Sequence, residues 1–314
     1  MRLWRSIKKQ MPELNGILLI NKPEGFTSHD VVAKLRGMLR TKRIGHGGTL
    51  DPMATGVLPI FIGGATRASD FALAEEKEYI AGFNLGYCTD TQDTTGEIIN
   101  KSPKKVSSTN VYMAVKALKG EQKQIPPMYS AVKIDGQKLY DLARKGKQIE
   151  RPERDIFISK SELLSFDDDM QCGQIQLVVS KGTYVRTVIN DLGEKLGTYG
   201  VMNSLIRTRS GGYNISDCIS FETLEKAINE GNVQSLIHGA DSLFLNYPAI
   251  TLTDEGEERA GRGAVLFQRH TEKGFDEQEN KIYRVYDRNG FRMLGQVRTL
   301  DKGGFALFVY KNLR

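Results

Sequence analysis

The stretch Gly45-His46-Gly47-Gly48-Thr49-Leu50-Asp51-Pro52 joins two segments of opposite character and limits how they can meet. Upstream, residues 29–39 carry Val31, Val32, Leu35 and Leu39 at helical spacing, with Ser28 placed to cap them. Downstream, residues 57–62 read Val-Leu-Pro-Ile-Phe-Ile, an apolar run of strand length. The three glycines allow backbone shapes that other residues resist. Pro52 biases Asp51 away from helical geometry and removes one local donor. Asp51 is therefore expected on a tight loop between a cationic helix and a strand near the core. By composition alone, such an aspartate is more often a cap or a turn residue than a catalyst.

Elsewhere the pattern mixes both periods. Residues 16–20 read as a short buried strand closed by a turn over 21–25. Residues 78–85 and 96–99 flank a polar turn at 89–93 and suggest two paired strands. A helical pattern covers 111–118, and residues 124–154 are charged and rich in proline and glycine, as expected of a surface excursion. A strand at 174–179 leads to a helix from Arg186 to about Leu196, with Val188, Leu192 and Leu196 on one face and Gly197 as its stop. Another helix spans 221–228. After about Pro248 come short strands at 282–286, 291–297 and 305–310, with Asn289-Gly290 as the hairpin signal. These signs divide the chain into residues 1–247, with a basic tail 1–13, and a small β-domain at 248–314.

The bulk numbers exclude several classes. A chain of 314 residues that is 39% apolar and 26% charged reads as a soluble globular protein with room for a large core. No apolar run approaches the roughly 20 residues that cross a bilayer, and the basic N-terminus lacks the apolar stretch of a secretory signal. Cys88, Cys172 and Cys218 lie far apart, which argues against a disulfide framework or a zinc site and fits a reducing cytosol. The net charge is +6, and Lys34, Arg36, Arg40, Lys42 and Arg43 fall in a stretch with no acidic residue. Residues 124–154 add seven basic side chains against four acidic ones. Such runs are often only solvated faces, but here the first leads into the Asp51 loop, and the sum fits a polyanionic partner.

Four blocks of the sequence then point one way. The stretch Gly45 to Gly56, read G-H-G-G-T-L-D-P-M-A-T-G, resembles the active-site signature of the TruB family of pseudouridine synthases. Asn21-Lys22-Pro23-x-Gly25-x-Thr27-Ser28 is similar to its N-terminal block. Gln124-Ile-Pro-Pro-Met-Tyr-Ser-Ala-Val-Lys133 resembles its insertion, and Ser180-Lys-Gly-Thr-Tyr184-Val-Arg186 its third motif. Two departures stand out: Thr198-Tyr199-Gly200 replaces Cys-Gly-Ala, and Ile206 replaces an arginine in Leu205-Ile206-Arg207-Thr208-Arg209.

The resemblance implies an α+β fold, with a catalytic domain on a mixed sheet and a small C-terminal PUA-like β-domain. It implies isomerisation of a uridine in RNA, with the T-arm of tRNA as partner and the uridine at position 55 as target by family analogy. Neither metal nor cofactor is called for, because nothing is oxidised or added. No membrane and no obligate protein partner is indicated. The resemblance makes Asp51 the nucleophile, Arg186 its ion-pair partner and Tyr79 the residue that stacks on the uracil. Because Arg186 would lose a charge partner, replacing Asp51 is expected to lower stability slightly. His46, Tyr184 and Leu205 join Tyr79 as the cradle for an everted base. Asp93 is a second carboxylate that could share Arg186, and Lys22 and Lys133 are further candidates. The rival readings are the guide-dependent dyskerin branch, a non-catalytic RNA-binding or folding factor, and a base-excising glycosidase.

Overall fold

The fold comes from a computed structural model, which describes residues 14–313 apart from 131, 135, 144 and 148. The tail 1–13 and the side chain of Lys133 therefore lie outside the described residues. In chain order the first elements are β1 (Gly16–Lys22), α1 (Ser28–Leu39), β2 (Ile44–His46), β3 (Thr55–Ile62), α2 (Ser69–Ala74) and β4 (Lys77–Leu85). There follow β5 (Tyr87–Thr89), β6 (Ile98–Lys101), α3 (Ser108–Lys116), β7 (Gly120–Gln124), β8 (Lys133–Ile134), β9 (Gln137–Lys138) and α4 (Leu139–Ala143). Next are β10 (Arg154–Asp167), β11 (Cys172–Val179), α5 (Val185–Lys195), β12 (Gly200–Ser210), β13 (Tyr213–Asn214) and α6 (Phe221–Glu230). The last are β14 (Ala249–Thr251), α7 (Asp254–Gly261), β15 (Ile282–Asp287), β16 (Gly290–Thr299) and β17 (Phe305–Asn312).

The main sheet runs β1-β3-β12-β4-β11-β10-β7, with β2 on β3 and β13 on β12. It is mixed, because β12 lies parallel to β3 and antiparallel to β4. Period-two alternation sorts β1 and β3 onto two cores. Leu18, Ile20, Leu58, Ile60 and Ile62 pack with Val31, Leu35 and Leu39 of α1 and with Leu224 of α6. Ile17, Leu19, Val57 and Phe61 face the other way, onto Ala68, Ala72, Leu294 and Leu313. A third core holds Tyr79, Ala81 and Phe83 of β4 against Val188, Ile189 and Leu192 of α5.

Several expectations need correction. Thr27, not Ser28, caps α1, accepting from the Asp30 backbone N–H, while the Ser28 hydroxyl turns inward and accepts from the Leu50 N–H at 2.9 Å. The first strand continues through Lys22, because that lysine is buried under the turn that follows. The segments at 78–85 and 96–99 do not pair with each other. β4 lies between β12 and β11, while β6 pairs with β5. β4 is an interior strand with both edges taken by β11 and β12, and the 89–93 turn is instead tied to β12 through the Asp93–Met202 bridge.

The second sheet runs β14-β15-β16-β17. Its Leu294, and Leu313 just after β17, share a buried cluster with Ile17 and Val57 of the main sheet, so removing this sheet would uncover apolar surface. Residues 124–154 leave the main sheet and build a small core of Met128, Leu139 and Leu142.

One glycine fixes how the strands meet. Gly56 has φ 101°, and a Cβ there would lie 2.2 Å from the Arg207 carbonyl oxygen. The clash is with backbone, in the parallel β12–β3 contact, so neither strand can yield cheaply. Gly56→Ala is expected to lower unfolding free energy by about 2–4 kcal/mol, combining overpacking with the left-handed strain. Equilibrium unfolding in urea measures this, and a loss under about 0.5 kcal/mol, the scatter of an ordinary surface change, would contradict it.

Candidate active site

The loop that carries Asp51 is gripped from below. The Lys22 ammonium is fully buried and donates to the carbonyls of Pro23 at 2.9 Å, Phe26 at 2.5 Å and Pro52 at 3.1 Å. The Gly25 N–H also donates to Pro52 O, at 2.9 Å. Burial pulls the Lys22 ammonium down to about 8, and the nearby Asp51 carboxylate partly restores it. Lys22 therefore reaches the site through the backbone of Pro52.

Arg186, in the first turn of α5, stands between two carboxylates. Its Nη2 lies 3.4 Å from Asp51 Oδ1 and its Nη1 lies 3.6 Å from Asp93 Oδ2. The same guanidinium donates to the carbonyls of Tyr129 at 2.6 Å and Thr91 at 3.5 Å. Asp93 is anchored separately, since its Oδ1 accepts from the Thr91 hydroxyl at 2.8 Å, the Thr95 N–H at 3.0 Å and the Thr95 hydroxyl at 2.5 Å. Side-chain exposure is 6% for Arg186 and 5% for Asp93 but 30% for Asp51, so of the three groups Asp51 is the one a solute can reach. Burial raises the Asp51 carboxyl above the ordinary carboxylate range, Arg186 and Lys22 pull against that, and Asp93 adds to it. The result is an accessible carboxylate with a fixed orientation, suited to attack on an electrophilic carbon.

The other expected residues fall around this cluster to different degrees. Tyr79 and Leu205 are nearly buried and share a core with Leu50, Ala54 and Val185, the residues that flank Asp51 and Arg186. Tyr184 is half-buried at the N-terminal end of α5. His46 closes β2 at the head of the loop, with its ring edge-on to His29 at 5.2 Å; burial first, then His29, pushes its pKa down. No described contact joins it to Asp51. Lys133 cannot be placed, because its side chain lies outside the described residues.

Sequence reasoning missed three contributors. The buried Gln124 amide pairs with both backbone groups of Tyr184, accepting from its N–H at 2.8 Å and donating to its carbonyl at 3.0 Å. Tyr129 brings its carbonyl to the Arg186 guanidinium. Arg207 is buried beneath the loop. Gln124, Tyr129 and Arg207 all stand inside the quoted stretches, which was the available signal.

The basic run after Val31 is an exposed cationic surface, with Lys34, Arg36, Arg40, Lys42 and Arg43 all exposed, and three of these side chains also make local contacts. Lys34 lies 4.1 Å from the Phe221 ring centroid, Arg36 donates to Ile44 O at 3.1 Å, and Arg43 donates to the Thr66 hydroxyl at 3.2 Å. Among the described residues, no group of three or more His, Cys, Asp or Glu could hold a metal ion. None of their helices is long and apolar enough to cross a membrane.

A mixed sheet that presents an accessible aspartate on an arginine shared with a second carboxylate defines a class of active site, and comparison with known proteins identifies it. Residues 36–185 match the N-terminal domain of the TruB family of pseudouridylate synthases, and residues 186–244 match the tRNA pseudouridylate synthase B C-terminal domain. The chain is 42% identical over 258 residues to tRNA pseudouridine synthase B of Bacillus velezensis, covering 81% of this chain and 84% of that one. It is 43% identical over 260 residues to the protein of the same name from Lactiplantibacillus plantarum, covering 81% and 85%. Among solved structures, a Cbf5-Nop10-Gar1 complex superposes with TM-score 0.71 at 25% identity, covering 95% of this chain and 85% of that one. An H/ACA RNP bound to a substrate RNA containing 2′-deoxyuridine gives the same TM-score at 23% identity and the same coverage, a likeness of fold. The chain belongs to the TruB family of pseudouridylate synthases.

Proposed function

We propose that this protein isomerises the T-loop uridine of tRNA to pseudouridine, with Asp51 as its nucleophile. The observation that carries this is the Asp51–Arg186–Asp93 cluster, in which only the loop aspartate is open to a substrate. The reaction breaks the bond from C1′ to N1, turns the uracil, and joins C1′ to C5, so atoms and electrons balance without an outside reactant. Asp51 would attack either C1′ or the uracil ring while Arg186 holds the carboxylate ionised and aimed. The target base must leave its stack, at a cost of a few kcal/mol that contact with Tyr79, Tyr184, His46 and Leu205 would offset. Residues 1–247 would form the catalytic domain and residues 248–314 a PUA-like RNA-binding module, acting in the cytoplasm without a guide RNA or an obligate protein partner.

The tRNA assignment rests on relatives at 42–43% identity that carry tRNA in their names. The guide-dependent reading rests on structures at 23–25% identity. Incubation with an unmodified T-arm stem-loop, followed by nucleoside analysis, tests the proposal. Pseudouridine at the target is the expected product. Free uracil would indicate a glycosidase, and unmodified RNA bound to the protein would indicate a binding factor.

The pH dependence follows from the electrostatics. Asp51 attacks as a carboxylate, and burial holds its pKa above the ordinary range. Single-turnover rate should therefore fall as the solution is acidified, starting above about pH 4, where a free aspartate titrates. A rate that stays flat down to about pH 4 would detach the chemistry from Asp51.

A further inference from the structure

Arg207 is the largest fully buried side chain on the sheet face below the catalytic loop, at 1% exposure. No carboxylate lies within ion-pair distance of it among the described residues. A buried, uncompensated cation is costly, so its retention calls for a specific contact. The contacts are two carbonyls: Nε donates to Val57 O at 2.7 Å and Nη2 donates to Gly48 O at 3.5 Å. Gly48 opens the segment that holds Asp51, and Val57 closes it. The two oxygens are nine residues apart in sequence, and one rigid guanidinium fork bridges them.

We infer that Arg207 is a positioning residue that staples the two ends of the Asp51 loop from beneath, so that the carboxylate meets the target uridine in one geometry. The inference rests on the proposed RNA isomerisation. β12 fixes the register, because Arg207 is the Cα partner of both Gly56 in β3 and Tyr79 in β4. The staple and the Lys22 clamp on Pro52 hold the loop at its ends and its middle. Arginine suits the position for two reasons. Its fork reaches two acceptors, and it keeps its charge at pH values where the ammonium groups nearby begin to lose theirs. Lys22 and Lys77 are both buried and both lowered to about 8, with Arg207 among the causes in each case.

The test compares Arg207→Met and Arg207→Lys with wild type by three measurements. Single-turnover rate on saturating T-arm stem-loop should fall about 100-fold in Arg207→Met, the size expected of a nucleophile displaced by about 1 Å. Dissociation constant for the same RNA should stay within about threefold, because a residue at 1% exposure has little surface for RNA. Arg207→Lys should recover part of the rate, since an ammonium can keep the Val57 contact alone. Amide hydrogen exchange adds a readout independent of substrate: residues 47–52 should lose protection in Arg207→Met while α5 and β11 keep theirs. Unchanged exchange at 47–52 would overturn the staple, whatever RNA the wild type acts on. So would an unchanged rate, or a loss of protection spread evenly over the whole molecule in both variants. A wild type that modifies no T-arm RNA but shows the local exchange change would instead leave the staple standing and defeat the substrate assignment.

Discussion

Asp51→Asn is expected to abolish pseudouridine formation while the protein stays folded and binds a T-arm stem-loop within about threefold of wild type. Removal of a nucleophile that no neighbour can replace lowers rates by roughly 10⁴-fold or more. Asn keeps the shape of the side chain but cannot attack as a carboxylate. The stability effect runs opposite to the sequence-based expectation of a small loss. That expectation weighed only the charge partner Arg186 would lose, whereas the guanidinium keeps Asp93 and the carbonyls of Tyr129 and Thr91. Asp51 itself has a folded pKa raised above its unfolded value, mainly by burial. A carboxyl raised in this way favours the fold when protonated, below its unfolded pKa, and that contribution is lost as pH rises through the folded pKa. At neutral pH its ionised form therefore opposes folding, and a neutral amide relieves this. Melting temperature at pH 7 should be equal to or above wild type, with the difference closing toward pH 4. Pseudouridine formation near the wild-type rate would remove Asp51 from the chemistry. A clear drop in melting temperature would show that Asp51 has a structural role the pair geometry does not reveal.

What the sequence disclosed followed local patterns, and what it hid lay in long-range or backbone contacts. The apolar run at 57–62 and the face of Val188 and Leu192 were readable because each signal lies within one element. The pairing of β4 was not, because its partners β11 and β12 begin nearly 90 or more residues later and no local turn announces them. The helix start was misplaced by one residue because Thr27 and Ser28 are both good caps, and only the inward pull of the Leu50 N–H decides between them. In the site, the glycines and Pro52 marked the Asp51 loop, but the pairing of Arg186 came from resemblance rather than spacing. Lys22 and Arg207 were seen as charges without roles. Their acceptors are carbonyl oxygens of Pro52, Gly48 and Val57, and every residue in a chain supplies one of those.

Arg186→Met is expected to have a large effect on activity and the largest effect on stability, because the arginine neutralises two carboxylates at once. Asp51 lies 3.4 Å from it and Asp93 lies 3.6 Å from it, and Asp93 is as buried as the guanidinium. With the cation gone, burial and the neighbouring Asp93 charge both drive the Asp51 carboxyl toward the protonated form. A protonated Asp51 is a poor nucleophile, and its orientation is no longer fixed, so single-turnover rate should fall roughly 10³-fold or more. Removing one member of a buried charge cluster costs about 3–5 kcal/mol, and the upper part of that range requires Asp93 to stay dry. The loss should also depend on pH in a definite direction. In the variant the Asp51 carboxyl, already raised by burial, loses the cation that pulls it down, so its contribution is retained at low pH and lost as pH rises through the folded pKa. Urea unfolding at pH 5 and pH 8 separates the outcomes. A gap between variant and wild type that is clearly wider at pH 8 supports a charge cluster centred on Arg186. An equal gap at both values would mean that Arg186 stabilises the fold by packing its stem, and the electrostatic account of Asp51 would fail with it.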